Sequence, residues 1–303
     1  MKQKIRWGVI GSGGIARRRT IPEGILRAGN AELAAVCSFN PRSNREVARE
    51  FNARACDSVA EAKRMLKACR QARVSFGTAF MMRYQSQHRA ALRMIEAGEI
   101  GEAVYARAQL SCWYPILSGS WRQQPKLGGG GSLIDLGGHC LDLLEMFFGP
   151  IRKVNCAINR RIHKYKSEDS AVVLARFQNG ALATVDACFC IPDNSSKNRL
   201  ELYGSKGSIL AQGTIGQGAA GEMTAFLENA GKGYDARQAR AAAKGLVIAP
   251  PPVNLYQAEI EAFSQDLLDG RDTKDSALAG LRSQIVLAAC YESARTGHEV
   301  KTG

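Results

Sequence analysis

Residues 128–142 read Gly-Gly-Gly-Gly-Ser-Leu-Ile-Asp-Leu-Gly-Gly-His-Cys-Leu-Asp, and they place an acid and an imidazole at helical spacing. Asp135 and His139 are four residues apart, so a helix makes their side chains neighbours on one face. An imidazole with a pKa near 6.5 is suited to proton transfer at neutral pH, and a neighbouring carboxylate stabilises its charged form. The pattern therefore indicates an acid/base site; the structural alternative is a capped helix with a surface ion pair.

The same segment contains helix start and stop signals. Ser132 is the expected N-cap, and Asp135, three residues later, is its expected capping-box partner. Gly149, followed by a proline, is the expected stop. The glycines at 137–138 lie inside the predicted helix, where each costs roughly 1 kcal/mol relative to Ala. Two such residues beside a histidine suggest that something else approaches the backbone closely.

A metal site is the next chemistry to consider for this pair. Asp135 and His139 supply at most two ligands, whereas a zinc site needs three or four. His88 and His163 have no spacing that promises a third ligand. No metal is expected.

A second glycine-rich turn lies near the start of the chain. Residues 5–10 have the pattern of a short buried strand, a helical stretch runs to about Ala28, and a second strand is predicted at 32–38. A G-x-G-x-x-A turn between such a strand and helix is the dinucleotide-binding fingerprint, in which a pyrophosphate reaches the free N–H groups of the helix. The candidate cofactor-binding residues of this turn are Gly11, Ser12, Gly13, Gly14, Ile15 and Ala16.

The end of the second predicted strand bears on the choice between NAD and NADP. Ser38 stands where a carboxylate would bind the ribose 2′-hydroxyl of NAD, and Arg42 follows it. Both are candidate cofactor-binding residues, and they favour NADP slightly, with NAD as the alternative. The arginines at 17–19 oppose the macrodipole at the start of the helix. They are expected either to extend into solvent or to help hold the cofactor phosphate.

Length and composition exclude several classes of protein. The chain has 303 residues, 45% of them hydrophobic and 23% charged, which fits two globular domains. No apolar run reaches the ~20 residues of a membrane span, so no membrane partner is expected. The nine cysteines are scattered, odd in number and without a CxxC pair. This usage predicts reduced thiols and a cytoplasmic protein.

The net charge of +13 raises the question of a polyanionic partner. Clustered cations would give a salt-dependent affinity for nucleic acid. Here the cations are dispersed, apart from 17–19 and 160–166. The second group lacks the aromatic residues of a stacking platform and is predicted to be a solvated loop or strand end. Nucleic acid is therefore a minor alternative and not the expected partner.

The remaining pattern predicts an α/β fold in two parts. Residues 1–83 are expected to form a shortened Rossmann-like domain with a parallel sheet, and residues 84–303 an α+β domain with a largely antiparallel, open sheet. In the first part a third strand is predicted at 53–56, helices at 44–51 and 61–72, and a strand at 74–80 docking beside 5–10. In the second part strands are predicted at 104–113, 151–159, 171–177, 181–191, 199–203 and 208–211, with helices at 132–148, 255–268 and 277–294. The stretch 213–253 is expected to be a long loop or lid with one helix at most.

Together these features resemble the glucose–fructose oxidoreductase / inositol dehydrogenase (Gfo/Idh/MocA) family. The resemblance rests on the GSGGIA turn, the GGGSLIDLGGHCLDLLE segment, Trp121-Arg122 ahead of it and the closing antiparallel sheet. It implies an NAD(P)-binding Rossmann domain, hydride transfer to or from a sugar or polyol, and homodimers or homotetramers. It also implies that Asp135 and His139 are catalytic or substrate-binding, and that Trp121 and Arg122 line the substrate pocket.

One motif of that family is missing. Its members carry a Glu-Lys-Pro motif whose Lys takes part in proton transfer, and this sequence has none. Between the strands predicted at 53–56 and 74–80, roughly 40–45 residues of a full dinucleotide fold are absent. Lys126 is no clear replacement. The resemblance thus predicts a sugar oxidoreductase impaired by this loss, with His139 as general base and Asp135 orienting it. The alternative is a catalytically inactive nucleotide- or sugar-binding relative.

Overall fold

The computed structural model describes residues 3–11, 13–38, 41–56, 69, 71–219, 221–227 and 244–303. The chain divides into two compact units. Unit 1 comprises residues 1–84 and 253–282, and unit 2 comprises 85–252 and 283–303. Residues 253–282 thus pack with the N-terminal part, whereas the sequence analysis placed them in the second domain. The division into a cofactor domain and a substrate domain stays a prediction.

Unit 1 begins with a parallel sheet and its connecting helices. Strands β1 (Ile5–Ile10), β2 (Ala31–Cys37) and β3 (Arg54–Cys56) pair in the order β1-β2-β3 in the described residues. Helix α1 (Ala16–Ile25), which is π-helical, joins β1 to β2, and α2 (Pro41–Glu50) joins β2 to β3. The predicted Rossmann-like β-α-β start is confirmed.

The core of unit 1 forms where α1 meets the sheet and a helix from later in the chain. Ile21 and Val36 are buried together, and Ile25 packs with Ile260 of α6 (Leu255–Leu268). Asn254 caps α6 by accepting N–H bonds from the first turn. The predicted bounds of this helix, 255–268, are confirmed.

The prediction of a strand at 74–80 is wrong. No strand is formed there, and β1 pairs only with β2 in the described residues. Contacts to later helices explain this: the N–H of Thr78 donates to Ser276 Oγ at 3.2 Å, and Gly77 lies against the Phe263 ring. A cavity of about 600 Å³ is left between β1 and residues 73–79. The predicted helix at 61–72 falls almost entirely outside the described residues.

Unit 2 is built on a sheet with nine strands in the described residues. Their order is β11-β10-β9-β8-β4-β7-β6-β5-β12, with β4 parallel to β7 and the other pairs antiparallel. The predicted largely antiparallel, open sheet is confirmed. The strands are β4 (Ala103–Ser111), β5 (Ile151–Asn159), β6 (Ser170–Phe177), β7 (Leu182–Cys188), β8 (Arg199–Gly204), β9 (Gly207–Gln212), β10 (Glu222–Leu227), β11 (Leu246–Val247) and β12 (Val300–Lys301).

Helices cover one face of this sheet. Helix α5 (Gly138–Phe148) contacts β4, and α7 (Lys274–Thr296) contacts β5 where the N–H of Cys156 donates to Ser293 Oγ at 2.9 Å. Helix α3 (Ser86–Glu96) packs on α5, and the short α4 (Pro125–Gly128) lies ahead of it in the chain. On β4 the alternate residues Ala106 and Ala108 are fully buried, whereas Arg107 between them is partly exposed. This two-residue period gives the sheet one covered and one open face.

Among the described residues, no helix is both long and apolar enough to cross a bilayer. All nine cysteines are free thiols.

Candidate active site

The helix that carries Asp135 and His139 begins with a π-helical turn. Leu133–Gly137 forms this turn and continues directly into α5. Ser132 already has helical angles, φ −63° and ψ −34°, and its side chain makes no cap hydrogen bond. The predicted capping box of Ser132 with Asp135 is therefore wrong. An N-cap needs extended backbone angles to direct its oxygen at the helix N–H groups.

Glu168 performs the capping that the sequence assigns to Ser132. Its Oε1 accepts hydrogen bonds from the N–H of Gly131 at 2.7 Å and of Leu133 at 3.1 Å, and from the Tyr291 hydroxyl at 2.9 Å. The residue is only 8% exposed. Burial and the neighbouring Glu168 carboxylate raise the pKa of the Tyr291 hydroxyl, which therefore remains a donor.

The glycine run at 128–131 is required because other segments of unit 2 approach its backbone. A Cβ on Gly130 would collide with the Tyr291 hydroxyl. A Cβ on Gly131 would collide with the backbone oxygen of Glu168. The cap and the glycines thus form one closely packed arrangement in which side chains are excluded.

At residues 137–138, where the sequence predicts a close approach, the neighbouring atoms lie farther from the backbone than they do at 130–131. A Cβ on Gly137 would lie 3.1 Å from a methyl group of Leu133, and one on Gly138 would lie 3.4 Å from a methyl group of Leu287. The first distance is tighter than most Cβ contacts but meets only the end of a flexible side chain, and the second is an ordinary packing contact. The need for glycine is greatest at the start of the helix.

Asp135 forms an ion pair with Arg122. Arg122 Nε lies 2.7 Å from Asp135 Oδ1, and the two side chains are 23% and 24% exposed. The guanidinium carbon of Arg122 lies 4.2 Å from the centroid of the Trp121 ring. This is a cation–π contact, which fixes the plane of the guanidinium group. The structure therefore brings Trp121, Arg122 and Asp135 together.

His139 lies one helical turn after Asp135 and is half-buried. Burial lowers its pKa below the ordinary value of 6.5; Asp135 acts in the opposite direction, and Arg122 lowers the pKa further. A lowered pKa keeps the imidazole neutral at pH 7, the form that accepts a proton. Arg122, Asp135 and His139 thus form one electrostatically linked group.

Cys112 belongs to the same group, although no motif of the sequence points to it. It follows β4, and its pKa is raised to about 11 by burial and by the carboxylates of Asp193 and Asp135. The thiol is therefore protonated and unreactive at neutral pH. Its place beside Asp135 depends on strand pairing across distant segments, so no local pattern could have revealed it.

His163 and His88, the other two histidines considered as metal ligands, pack against aromatic rings. The His163 ring packs against Trp113 with centroids 4.8 Å apart, and its Nε2 lies 2.9 Å from the backbone oxygen of Phe189. His88 is fully buried in α3 and packs edge-on against Phe147.

The basic segment 160–166 is a loop with its cations exposed, as predicted. Asp169 holds this loop by accepting backbone N–H bonds from Arg161, Ile162 and His163 at 2.7–3.0 Å. Burial alone would raise the pKa of Asp169, but these donors outweigh it and lower the pKa.

The glycine turn of unit 1 has the open form that a dinucleotide needs. Gly11 and Gly14 have φ of +89° and +51°, and a Cβ built on Gly11, Gly13 or Gly14 would have no neighbour within 4 Å. Ile15 and Ala16 lead into α1, whose first N–H groups have no partner within the helix. These residues fit a pyrophosphate. Ser12 lies outside the described residues.

The arginines near this turn have partners in unit 1. Arg17 Nε lies 2.7 Å from Glu50 Oε2, and Arg19 pairs with Glu23. Arg18 is exposed and forms no ion pair within the described ranges. Phosphate binding by this group stays a prediction, and Arg18 is the member with no ion pair to exchange in the described ranges.

The residues proposed to select the cofactor lie after β2. Ser38 is half-buried and directly follows the strand. Arg42 is highly exposed and lies 3.3 Å from Glu46. An exposed guanidinium can exchange this weak pair for a phosphate. NADP binding stays a prediction.

Comparison with known proteins shows what these features are similar to. Residues 88–210 match the GFO/IDH/MocA C-terminal domain. A D-apiose dehydrogenase of Rhizobium rhizogenes is 27% identical over 256 residues, which cover 81% of this chain and 70% of the relative. A 1,5-anhydro-D-fructose reductase of Ensifer adhaerens is 26% identical over 251 residues, with the same two shares.

A solved structure shows the same fold. Levoglucosan dehydrogenase, in complex with NADH and L-sorbose, superposes with a TM-score of 0.77 at 18% identity, covering 100% of both chains. The Rossmann-like start, the open sheet, the matched C-terminal domain and these relatives agree. Residues 88–210 are thus similar to the C-terminal domain of the Gfo/Idh/MocA family, and the whole chain is similar in fold to levoglucosan dehydrogenase.

Proposed function

We propose that this protein is an NAD(P)-dependent oxidoreductase that transfers hydride between the nicotinamide ring and a carbon of a sugar or polyol. The relatives named above are dehydrogenases or reductases whose names refer to sugars, and one was solved with NADH. The observation that carries the proposal is the Arg122–Asp135 ion pair linked electrostatically to His139. NAD(P)H formation measured with a panel of sugars and polyols tests it directly.

Each side chain of this group has a distinct proposed role. When bound, the nicotinamide supplies hydride acceptance or donation. His139 takes the proton of the substrate hydroxyl, because its lowered pKa keeps it neutral. Asp135 stabilises the imidazolium that results, and Arg122, held by Trp121, offers N–H donors to other hydroxyls.

The inactive nucleotide- or sugar-binding alternative is not supported by these relatives, which are named for their reactions. The missing Glu-Lys-Pro motif still predicts a reduced rate. Lys126 lies exposed on α4. No contact of Lys126 supports it as a replacement.

Gly13→Ala is predicted to weaken cofactor binding without weakening the fold. Its Cβ would meet no protein atom within 4 Å, but it would occupy the space that the phosphates approach. We expect dinucleotide affinity to fall by about tenfold, which is roughly 1.4 kcal/mol. Titration of tryptophan fluorescence with NADH and NADPH measures this.

Gly29→Ala is the matched control, since a Cβ there also meets nothing within 4 Å. It should bind both dinucleotides like the wild type. Equal affinities for Gly13→Ala and Gly29→Ala would contradict cofactor binding at the turn. The wild-type titration also decides between NADP and NAD.

We propose that the open face of the unit 2 sheet makes a homodimer, which could pair into a homotetramer. Val172 and Leu174 on this face are 54% and 45% exposed. Leu174→Asp is predicted to give monomers in light scattering, because a buried charge without a partner disrupts an interface. Val104→Asp is the control: Val104 is equally exposed but lies on the opposite face. Dimers that survive Leu174→Asp would exclude this interface.

We also propose a cytoplasmic location. Nine free thiols, three of them buried, are typical of reducing compartments. Fractionation of the native host, followed by detection of the protein, measures this.

A further inference from the structure

The start of the catalytic helix is held by two residues that lie far from it in the sequence. Glu168 precedes β6 and Tyr291 lies on α7, and both reach the glycine run at 130–131. Glu168 Oε1 receives three hydrogen bonds, two from backbone N–H groups at the start of the helix and one from Tyr291. The Tyr291 hydroxyl also interacts with the backbone N–H of Ile134.

These contacts fix the one part of the helix that sets the direction of Asp135. The π-helical turn Leu133–Gly137 begins at a residue bound by Glu168, and the N–H of Asp135 bonds to the backbone oxygen of Gly131 at 3.1 Å. Because Ser132 makes no cap, Glu168 is the capping group seen at this end. Displacing it would rotate the turn that carries Asp135 and, one turn later, His139.

We propose that Glu168 and Tyr291 are positioning residues for the reaction. They hold the π-helical turn so that Asp135 meets Arg122 and His139 stays in its buried setting. This inference rests on the proposed function of Asp135 and His139. The proposal assigns this role to the acceptor oxygen of Glu168, since a neutral amide oxygen would accept the same hydrogen bonds.

The test compares three variants of the full-length protein. Glu168→Ala removes the acceptor, and we expect kcat to fall by about 10²-fold with KM within threefold, since small misplacements of a catalytic group have effects of that size. Glu168→Gln keeps an oxygen acceptor and should restore kcat to within threefold of the wild type. Tyr291→Phe loses one donor and keeps the ring; about a tenfold loss is expected.

Asn179→Ala is the matched control, because Asn179 donates to the backbone oxygen of Phe148 at 3.0 Å and so caps the other end of the same helix. It should leave kcat unchanged. Equal losses in Glu168→Ala and Asn179→Ala would mean that general helix stability is responsible and would overturn the proposal. If Glu168→Ala does not fold, comparing the kcat of Tyr291→Phe with that of Asn179→Ala decides between the same two explanations.

A measurement without turnover separates this inference from the proposed function. In NMR titration, the pKa of His139 should rise toward 6.5 in Glu168→Ala and Tyr291→Phe, because a displaced helix exposes the imidazole to water. It should stay low in Glu168→Gln and Asn179→Ala. A shift without sugar-dependent turnover in any variant would support positioning and contradict the function. An unchanged pKa in both Glu168→Ala and Tyr291→Phe would overturn the positioning role.

Discussion

Replacing His139 by Ala should lower sugar-dependent NAD(P)H formation by about 10²–10⁴-fold in kcat/KM, the usual contribution of a positioned general base. His139 is half-buried and near both Asp135 and Arg122, and burial lowers its pKa. A lowered pKa favours the neutral imidazole at pH 7, which is the form that a general base needs. Steady-state kinetics on any substrate found in the sugar panel measures the loss.

His298→Asn is the control for this prediction, because His298 is exposed. It should retain wild-type kinetics. Wild-type turnover in His139→Ala would rule out His139 as the base. Loss of dinucleotide binding in His139→Ala would instead point to a structural defect, so cofactor affinity is measured in parallel.

The lowered pKa of His139 also predicts how kcat/KM depends on pH. Wild-type kcat/KM should decline only below pH 6.5, as His139 becomes protonated, and this acid limb should be absent from the residual rate of His139→Ala. The free energy of unfolding should also depend on pH through His139. The unfolded chain binds the proton more tightly than the folded one, so the contribution is complete above pH 6.5 and is lost as pH falls below it.

Local patterns were sufficient for many, but not all, elements of the fold. Strand β5 (Ile151–Asn159) and helix α6 (Leu255–Leu268) have the predicted bounds, because alternation and helical periodicity are properties of consecutive residues. The loop predicted at 213–253 contains strand β10 in the structure, so that prediction is wrong there. Strands β11 and β12 have only two residues each. Strands of that length carry no periodic signal.

Features that depend on distant contacts were beyond the sequence. Residues 74–80 alternate like a strand, but contacts of Thr78 and Gly77 with later helices replace pairing with β1. Ser132 fits the capping pattern locally, yet Glu168, 36 positions later, supplies the cap. In both cases the competing partner is remote in sequence and close in space.

In the candidate site, too, the sequence predicts what depends on local spacing and misses what depends on contacts between distant residues. The spacing of Asp135 and His139 identified two members of the group, and the resemblance added Trp121 and Arg122. The Arg122–Asp135 ion pair itself crosses thirteen residues and required the fold. Glycines at 128–131 were visible in the sequence, but the reason for them was not, because the groups that exclude a side chain come from Glu168 and α7.

Gly131→Ala should destabilise the protein by at least about 3 kcal/mol, the upper part of the range for overpacking in a rigid core. The new Cβ would collide with the backbone oxygen of Glu168 and lie 2.9 Å from Ser167 Cβ. Neither atom belongs to a flexible chain end, so the backbone itself must move. Urea unfolding and thermal melting measure the change, and a fall in Tm of roughly 10 °C is expected.

Gly138→Ala, seven residues later, should have the opposite sign. Gly138 has helical angles, φ −56° and ψ −42°, and a Cβ there would lie 3.4 Å from a Leu287 methyl group, an ordinary contact. Alanine in a helix interior is favoured over glycine by roughly 0.5–1 kcal/mol. Because both substitutions add the same methyl group, their difference isolates the close approach of Glu168. Similar stabilities for the two variants would contradict the packing described at the start of the helix that carries Asp135 and His139.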